Sequence, residues 1–181
     1  PGWFPPCKYR EADFQFARDA GFNFVRLPVD YRFLTQDGDV TQLDETKLVE
    51  LDEAIGWGQQ YHQHICVALF AVPGYSINTP KQSPSLWRDA QCQKQFVAYW
   101  RSLAERYRKV PAEDLSFNLL NEPAWEVAES EYAPVMRGAI EAIRGVDPKR
   151  PILVDGLKAG REPVMSLAGL PGVGQAMHFY E

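Results

Sequence analysis

Five short apolar runs alternate with helical stripes along this chain, and that alternation narrows the folds open to it more than any other feature. The runs are FNFVRLPV (22–29), ICVALFAV (65–72), LSFNLLN (115–121), PILVD (151–155) and AMHFYE (176–181), each bounded by turn residues. Between them, Leu48, Leu51 and Ile55 recur at helical spacing behind an Asp44 cap. Phe96, Trp100, Leu103 and Tyr107 form a longer stripe, and Met136, Ile140 and Ile143 a third. Residues 11–20 read as a helix closed by Gly21, and residues 161–168 as a short one closed by Gly169. Strand-helix units in series build a parallel sheet that is either open and doubly wound or closed into a barrel. No Gly-rich phosphate loop follows any of the runs, which favours the barrel. The expected fold is α/β, of (β/α)8 TIM-barrel type, as a single domain over residues 1–181. Such a barrel takes about 250 residues, roughly 31 per unit, so this chain supplies about five to six units. The expectation is therefore a truncated barrel, incomplete at its C-terminal end. Its raw strand edges would leave Phe24, Leu119 and Leu153 partly uncovered and favour self-association.

Composition removes several classes of function. Lys and Arg total 19 against 24 Asp and Glu, a net charge of −5 with the signs interspersed, which argues against a nucleic-acid partner. No apolar run approaches the roughly 20 residues needed to span a bilayer, so no membrane partner is expected, and PGWFPPCKYR lacks the apolar core of a signal peptide. Cys7, Cys66 and Cys92 are an odd number without metal-type spacing, and Cys66, inside an apolar run, reads as a small core residue. His62 and His64 sit at a helix-to-strand junction and do not make a metal site. Trp57, Trp87 and Trp100 lie in or beside helical stretches and read as core or shell residues.

The segment LSFNLLNEPAW (115–125) carries the chemistry. Pro123 has no N–H and cannot continue a central strand, so the strand stops near Glu122. Neighbours on a regular strand face opposite ways, so Asn121 and Glu122 share one cleft only if the backbone turns between them and Pro123. A carboxylic acid at a strand's mouth, with an amide beside it and the indole of Trp125 close by, suits proton donation to a sugar-bound oxygen.

Read in order, GFNFVRLPVDYRFL (21–34), VPGYSIN (72–78), LSFNLLNEPAW (115–125), PILVDG (151–156) and MHFYE (177–181) resemble the successive strand ends of glycoside hydrolase family 5, the cellulase family. The resemblance covers nearly the whole chain. It implies an endoglucanase-like retaining glycosidase on a (β/α)8 barrel, with the acid/base Glu ending the fourth strand and the nucleophile Glu ending the seventh. By resemblance Glu122 is the acid/base, Arg26 the arginine that braces the catalytic carboxylates, and Asn121 the amide that binds the sugar 2-hydroxyl. His178 and Tyr180 match the pair on the sixth strand, and their spacing of two puts both on one strand face. Trp125, Tyr31, Tyr75 and Asn78 lie just past strand ends, where rings stack on sugars and amides bind hydroxyls; simple loop packing is the other reading for each. The implied partner is a β-1,4-glucan or related β-glycan, as oligosaccharide or polysaccharide, without a cofactor, in a secreted or periplasmic setting.

Two features depart from the family pattern. Where the family reads His-Arg before the Pro-Gly-Tyr turn, this chain has Phe70 and Ala71, which makes the sugar subsite at Phe70 more apolar. The sequence also stops at the sixth strand, before the stretch that would carry the nucleophile. Glu181 would point outward if His178 and Tyr180 point inward. Asp155 and Asp30 can line the cleft, yet neither holds the nucleophile position. The chain alone is therefore expected to be inactive, because retention needs two carboxyl groups about 5 to 5.5 Å apart. A non-catalytic carbohydrate-binding protein and a shortened barrel that pairs with a second copy are the alternatives.

Overall fold

The computed structural model describes residues 8–77 and 81–180, with the backbone alone for Thr41. Helix α1 (Glu11–Asp19) leads into strand β1 (Phe24–Asp30), a small hairpin of β2 (Thr35–Gln36) and β3 (Asp39–Leu43), helix α2 (Glu45–Gln60) and strand β4 (His64–Val72). Then follow β5 (Tyr75–Ser76), α3 (Ala90–Tyr107), β6 (Leu115–Asn118), α4 (Glu129–Arg144), β7 (Ile152–Asp155), the short turn α5 (Leu157–Gly160), a 3-10 turn (Met165–Leu167) and β8 (Val173–Ala176). Asp44 caps α2 as expected, its carboxylate accepting from the N–H groups of Thr46 and Lys47.

The parallel strands stand in the order β1-β4-β6-β7-β8, and β5 folds back antiparallel onto β4. Chain order and spatial order agree, so each unit adds its strand on the same side. That is the winding of a barrel wall; a doubly wound sheet reverses at a switch point. The fold is thus a (β/α)8 TIM-barrel type over five strand-helix units. Among the described residues no helix is long and apolar enough to cross a membrane.

The two faces of this wall differ sharply in chemistry. Leu27 and Val29, Ile65, Val67 and Leu69, Leu115 and Phe117, and Ile152 and Val154 are all buried on the helix-facing side, where Phe117 packs on Trp100 with ring centroids 5.1 Å apart. Their alternates are Arg26, Pro28, Cys66, Ala68, Ser116, Asn118, Leu153 and Asp155, small or polar apart from Pro28 and Leu153. Hydrophobic burial against the helices therefore drives sheet formation, and the opposite face is left small and polar enough to build a site.

Three expectations are corrected here. The last strand is Val173–Ala176, displaced toward the N-terminus, and Met177 to Tyr180 lie outside the sheet. Beyond Ala176 the backbone bonds go elsewhere, the N–H of His178 reaching Gly160 O at 2.9 Å, because β7 has already ended at Asp155. The helix at 161–168 reduces to the 3-10 turn, since Gln175 takes both the N–H (2.8 Å) and the C=O (2.9 Å) of Val164. Leu119 is fully buried because it shares the helix-facing side with Phe117, while Phe24 remains 46% exposed and Leu153 half-buried. The tryptophans take the core and shell places expected of them: Trp100 is fully buried, and Trp57 and Trp87 are partly buried against the core. Cys66 is a buried core residue; Cys7 lies outside the described residues.

Arg150 is the largest polar anchor of the scaffold. Its side chain is 1% exposed, and its guanidinium donates to the carbonyls of Tyr107 (2.9 Å), Val110 (2.7 Å), Pro111 (3.3 Å) and Leu115 (2.9 Å) while pairing with Asp147. One planar fork thus satisfies the C-terminal end of α3 and the start of β6, a fan that lysine cannot reproduce. Arg150→Ala is expected to destabilise the chain by about 3 to 5 kcal/mol, and Arg150→Lys to recover only part of this, in denaturant titration.

A second anchor gives a pH signature. Burial alone would raise the carboxyl of Asp52, but the paired hydrogen bonds from Arg106 (3.0 and 2.6 Å) and one from Tyr107 (2.8 Å) outweigh it and hold the group below its usual range. With the folded value below the unfolded one of about 3.9, the stabilisation is complete above that pH and lost as pH falls through the folded value. The stability deficit of Asp52→Asn should therefore be constant at neutral pH and shrink below about pH 4, as followed by thermal melts across pH.

Candidate active site

Glu122 stands where β6 runs out at the mouth of the wall. Its φ is +46°, a left-handed conformation rare for a residue with a side chain. This is the turn between Asn121 and Pro123 that a shared cleft requires. Neighbouring groups hold it: the N–H of Glu122 donates to Asp155 Oδ2 at 2.8 Å, the hydroxyl of Tyr75 donates to the carbonyl of Glu122, and the N–H of Asn121 reaches Leu69 O at 2.8 Å. Strain of this kind persists only where the surroundings over-determine it.

Asp155, fully buried at the end of β7, is the centre of the polar face. Oδ1 accepts from Asn118 Nδ2 at 2.8 Å, and Oδ2 accepts from Glu122 N and lies 2.9 Å from His178 Nε2 and 3.8 Å from Arg26 Nη2. Arg26 also donates to Asn118 Oδ1 (3.0 Å from Nε) and Asn121 Oδ1 (2.9 Å), and its guanidinium lies 5.1 Å from the centre of the Phe70 ring. With its Oδ1 engaged by Arg26, Asn121 keeps Nδ2 without a hydrogen bond among the described residues.

The side chain of Glu122 is 13% exposed, and its Oε1 meets His178 Nδ1 at 2.7 Å and the Tyr180 hydroxyl at 2.8 Å. The imidazole thus lies between two carboxyl groups. The other groups facing Asp155 are donors, so Asp155 acts as acceptor and His178 directs an N–H toward it from Nε2. The 2.7 Å contact at Nδ1 joins the ring to the Glu122 carboxyl by a hydrogen bond. The hydrogen bond to Glu122 pushes the Tyr180 phenol above its usual value, so it stays a neutral donor at ordinary pH.

A cleft of about 440 Å³ opens beside Glu122, lined among others by Tyr75, Gln82, Trp87, Trp125 and Glu126. Trp125 is 57% exposed, and Lys158 and Arg161 place their cations 6.0 and 5.7 Å from its ring centre. Tyr75 borders the cleft but is 6% exposed, edge-on to Trp87 at 5.4 Å, and burial pushes its phenol well up; it supports the Glu122 turn and offers no free stacking face. Tyr31 is half-buried beside Arg32 in a separate hollow by the β2-β3 hairpin. Asn78 and Glu181 lie outside the described residues. The structure thus gathers Glu122, Asn121, Arg26, His178 and Tyr180 into one network, with Phe70 against its arginine and Trp125 across the adjoining cleft.

Asn118 and the central place of Asp155 escape a reading of the sequence. A polar residue two positions after Ser116 inside an apolar run was the available signal for Asn118, since parity puts both on the face opposite Phe117. His178 and Tyr180 do converge, but from an irregular segment, so their shared strand face is not the reason.

The cellulase (glycosyl hydrolase family 5) family model matches residues 1–181. Endoglucanase C of Acetivibrio thermocellus is 34% identical over 146 residues, covering 81% of this chain and 42% of that protein. Endoglucanase 3 of Fibrobacter succinogenes is 29% identical, covering 84% of this chain and 24% of that protein. A crystal structure described as a glycoside hydrolase superposes with a TM-score of 0.90 at 34% identity, over 99% of this chain and 56% of that one. The chain therefore spans less than half the length of these two curated relatives. It belongs to glycosyl hydrolase family 5, the cellulase family.

Proposed function

We propose that this chain carries the acid/base half of a retaining β-glycan hydrolase, with Glu122 as the general acid/base. The observation that supports this most is the hydrogen bonding of the Glu122 carboxyl. His178 and Tyr180 engage Oε1, and Oε2 has no donor among the described residues. That leaves Oε2 to carry the proton given to a glycosidic oxygen and later to take one from the attacking water, while the hydrogen bonds at Oε1 hold the carboxyl in place. Asn121 Nδ2 is free to bind a sugar hydroxyl beside it. The leaving-group sugar occupies the cleft next to Glu122, stacked on Trp125.

Retention needs a second carboxylate about 5 to 5.5 Å from the first. Asp155 does not fill that role, being fully buried and committed to Asn118, Glu122 N, His178 and Arg26. Among the described residues it is a brace, and the nucleophile in this reading comes from elsewhere. The endoglucanase names of the relatives support a β-glucan as substrate class. The flanks of β1 and β8, which pair with no strand among the described residues, are in the same reading where the rest of a barrel or a second copy pairs.

In a protein that joins this chain to the remaining strands of a family barrel, β-glucan oligosaccharides should be cleaved with retained anomeric configuration. Glu122→Gln should lower turnover by about 10² to 10⁴-fold on substrates with poor leaving groups. Inverted product, or an undiminished Glu122→Gln variant, would remove the assignment.

Phe70 yields a separate prediction. Its ring covers Arg26 and offers a sugar hydroxyl no partner, so Phe70→His should tighten oligosaccharide binding by about 1 to 3 kcal/mol in calorimetry. Ala71→Arg is not part of that restoration. Ala71 is 3% exposed, so an arginine side chain there would have to displace its packed neighbours.

A further inference from the structure

Three successive residues after β7 lie in the left-handed region: Lys158, Ala159 and Gly160, at φ +52°, +57° and +85°. Side-chain-bearing residues rarely adopt this conformation, and two in a row mark a backbone held by its surroundings. The holding contacts lead to the site. Ala159 N donates to Pro123 O at 3.0 Å, the residue after Glu122, and Gly160 O accepts from His178 N at 2.9 Å. The imidazole of His178 lies directly against the bare α-carbon of Gly160: a Cβ there would stand 2.8 Å from both Cγ and Cδ2 of the ring. The ring is thus bounded by Asp155 at 2.9 Å, by Glu122 at 2.7 Å and by Gly160.

We infer that the left-handed turn 158–160 is a positioning element for the Glu122–His178 pair, and that Gly160 is the positioning residue that lets the imidazole sit between the two carboxyl groups. A methyl group at 160 must displace the ring, lengthening the Nδ1 and Nε2 contacts together. Loosening the turn must let the ring swing, because its backbone anchor at Gly160 O moves with it. The catalytic meaning rests on Glu122 being the acid; the geometry does not, so the experiment reads the imidazole directly and needs no turnover.

The full chain, labelled with ¹⁵N, is compared with three variants by NMR of the His178 ring. Gly160→Ala should shift the ring nitrogen resonances and speed exchange of the ring N–H about tenfold or more. Ala159→Gly adds no atoms and relieves a left-handed alanine, so it should fold as well as the parent yet speed the same exchange. Gly169→Ala is the control: its φ is +77°, with nothing within 4 Å of the added Cβ, so it carries the backbone strain without touching the ring and should leave the His178 signals unchanged. A folded Gly160→Ala with the parent's ring signals overturns the inference, as does a Gly169→Ala that moves them equally. If Gly160→Ala does not fold, Ala159→Gly decides, and parental exchange in that variant overturns it. Failure of Glu122→Gln to impair hydrolysis would strike the functional reading while leaving these ring measurements untouched.

Discussion

The buried carboxylate of Asp155 is the interaction on which the functional face depends. An ion with no solvent contact persists only when its neighbours replace the water it has lost, and here an amide, a backbone N–H, an imidazole and a guanidinium do so. Those four groups, three of them within hydrogen-bond distance and the guanidinium an ion-pair neighbour at 3.8 Å, come from β6, the turn beyond it, the segment after β8, and β1. One desolvated charge therefore registers four chain segments against each other. The left-handed backbone at Glu122 is part of that arrangement, because its N–H points at Asp155 only when the chain turns there.

The barrel wall makes this arrangement affordable through parity. Leucine, isoleucine, valine and phenylalanine on one side supply the burial that holds strands to helices, so the alternate positions are released from packing duty. Those positions hold Arg26, Asn118 and Asp155, whose side chains meet across β1, β6 and β7. Neither face could be built without the other. A polar residue moved by one position would enter the helix interface, and an apolar one would enter the network.

Much of this was legible in the sequence, and the parts that were not share a physical cause. Strand order, the Asp44 cap, the turn at Pro123 and the grouping of Arg26, Asn121, Glu122, His178 and Tyr180 each depend on local chemistry or on a motif kept in chain order. The misplacement of the last strand had a local origin too: glycines in PGVGQA conceal a strand, whereas the aromatic MHFY imitates one. The role of Asp155 was not readable because it depends on Asn118, 37 positions away, and on His178, which meets it from an irregular segment. The place of Tyr75 after a strand suits stacking or packing alike; its hydroxyl donates to the carbonyl of Glu122 and its ring lies buried, edge-on to Trp87. Nothing in Leu157, Lys158 and Ala159 announced a left-handed turn; only Gly160 hinted at one.

The two left-handed stretches, at Glu122 and at 158–160, belong to one structure. Pro123 sits between them in space, its carbonyl bonded to Ala159 N, while its ring bars the chain after Glu122 from continuing as a strand. The strain at Glu122 aims the carboxyl out of the sheet, and the strain at 158–160 brings a side-chain-free surface up to His178. Neither conformation would survive in an isolated peptide. Each is held by hydrogen bonds that the other's segment, or Asp155, helps to complete. The carboxyl of Glu122 and the imidazole that meets it are thus each placed by a strained turn, and the second turn provides the fixed surface against which His178 lies.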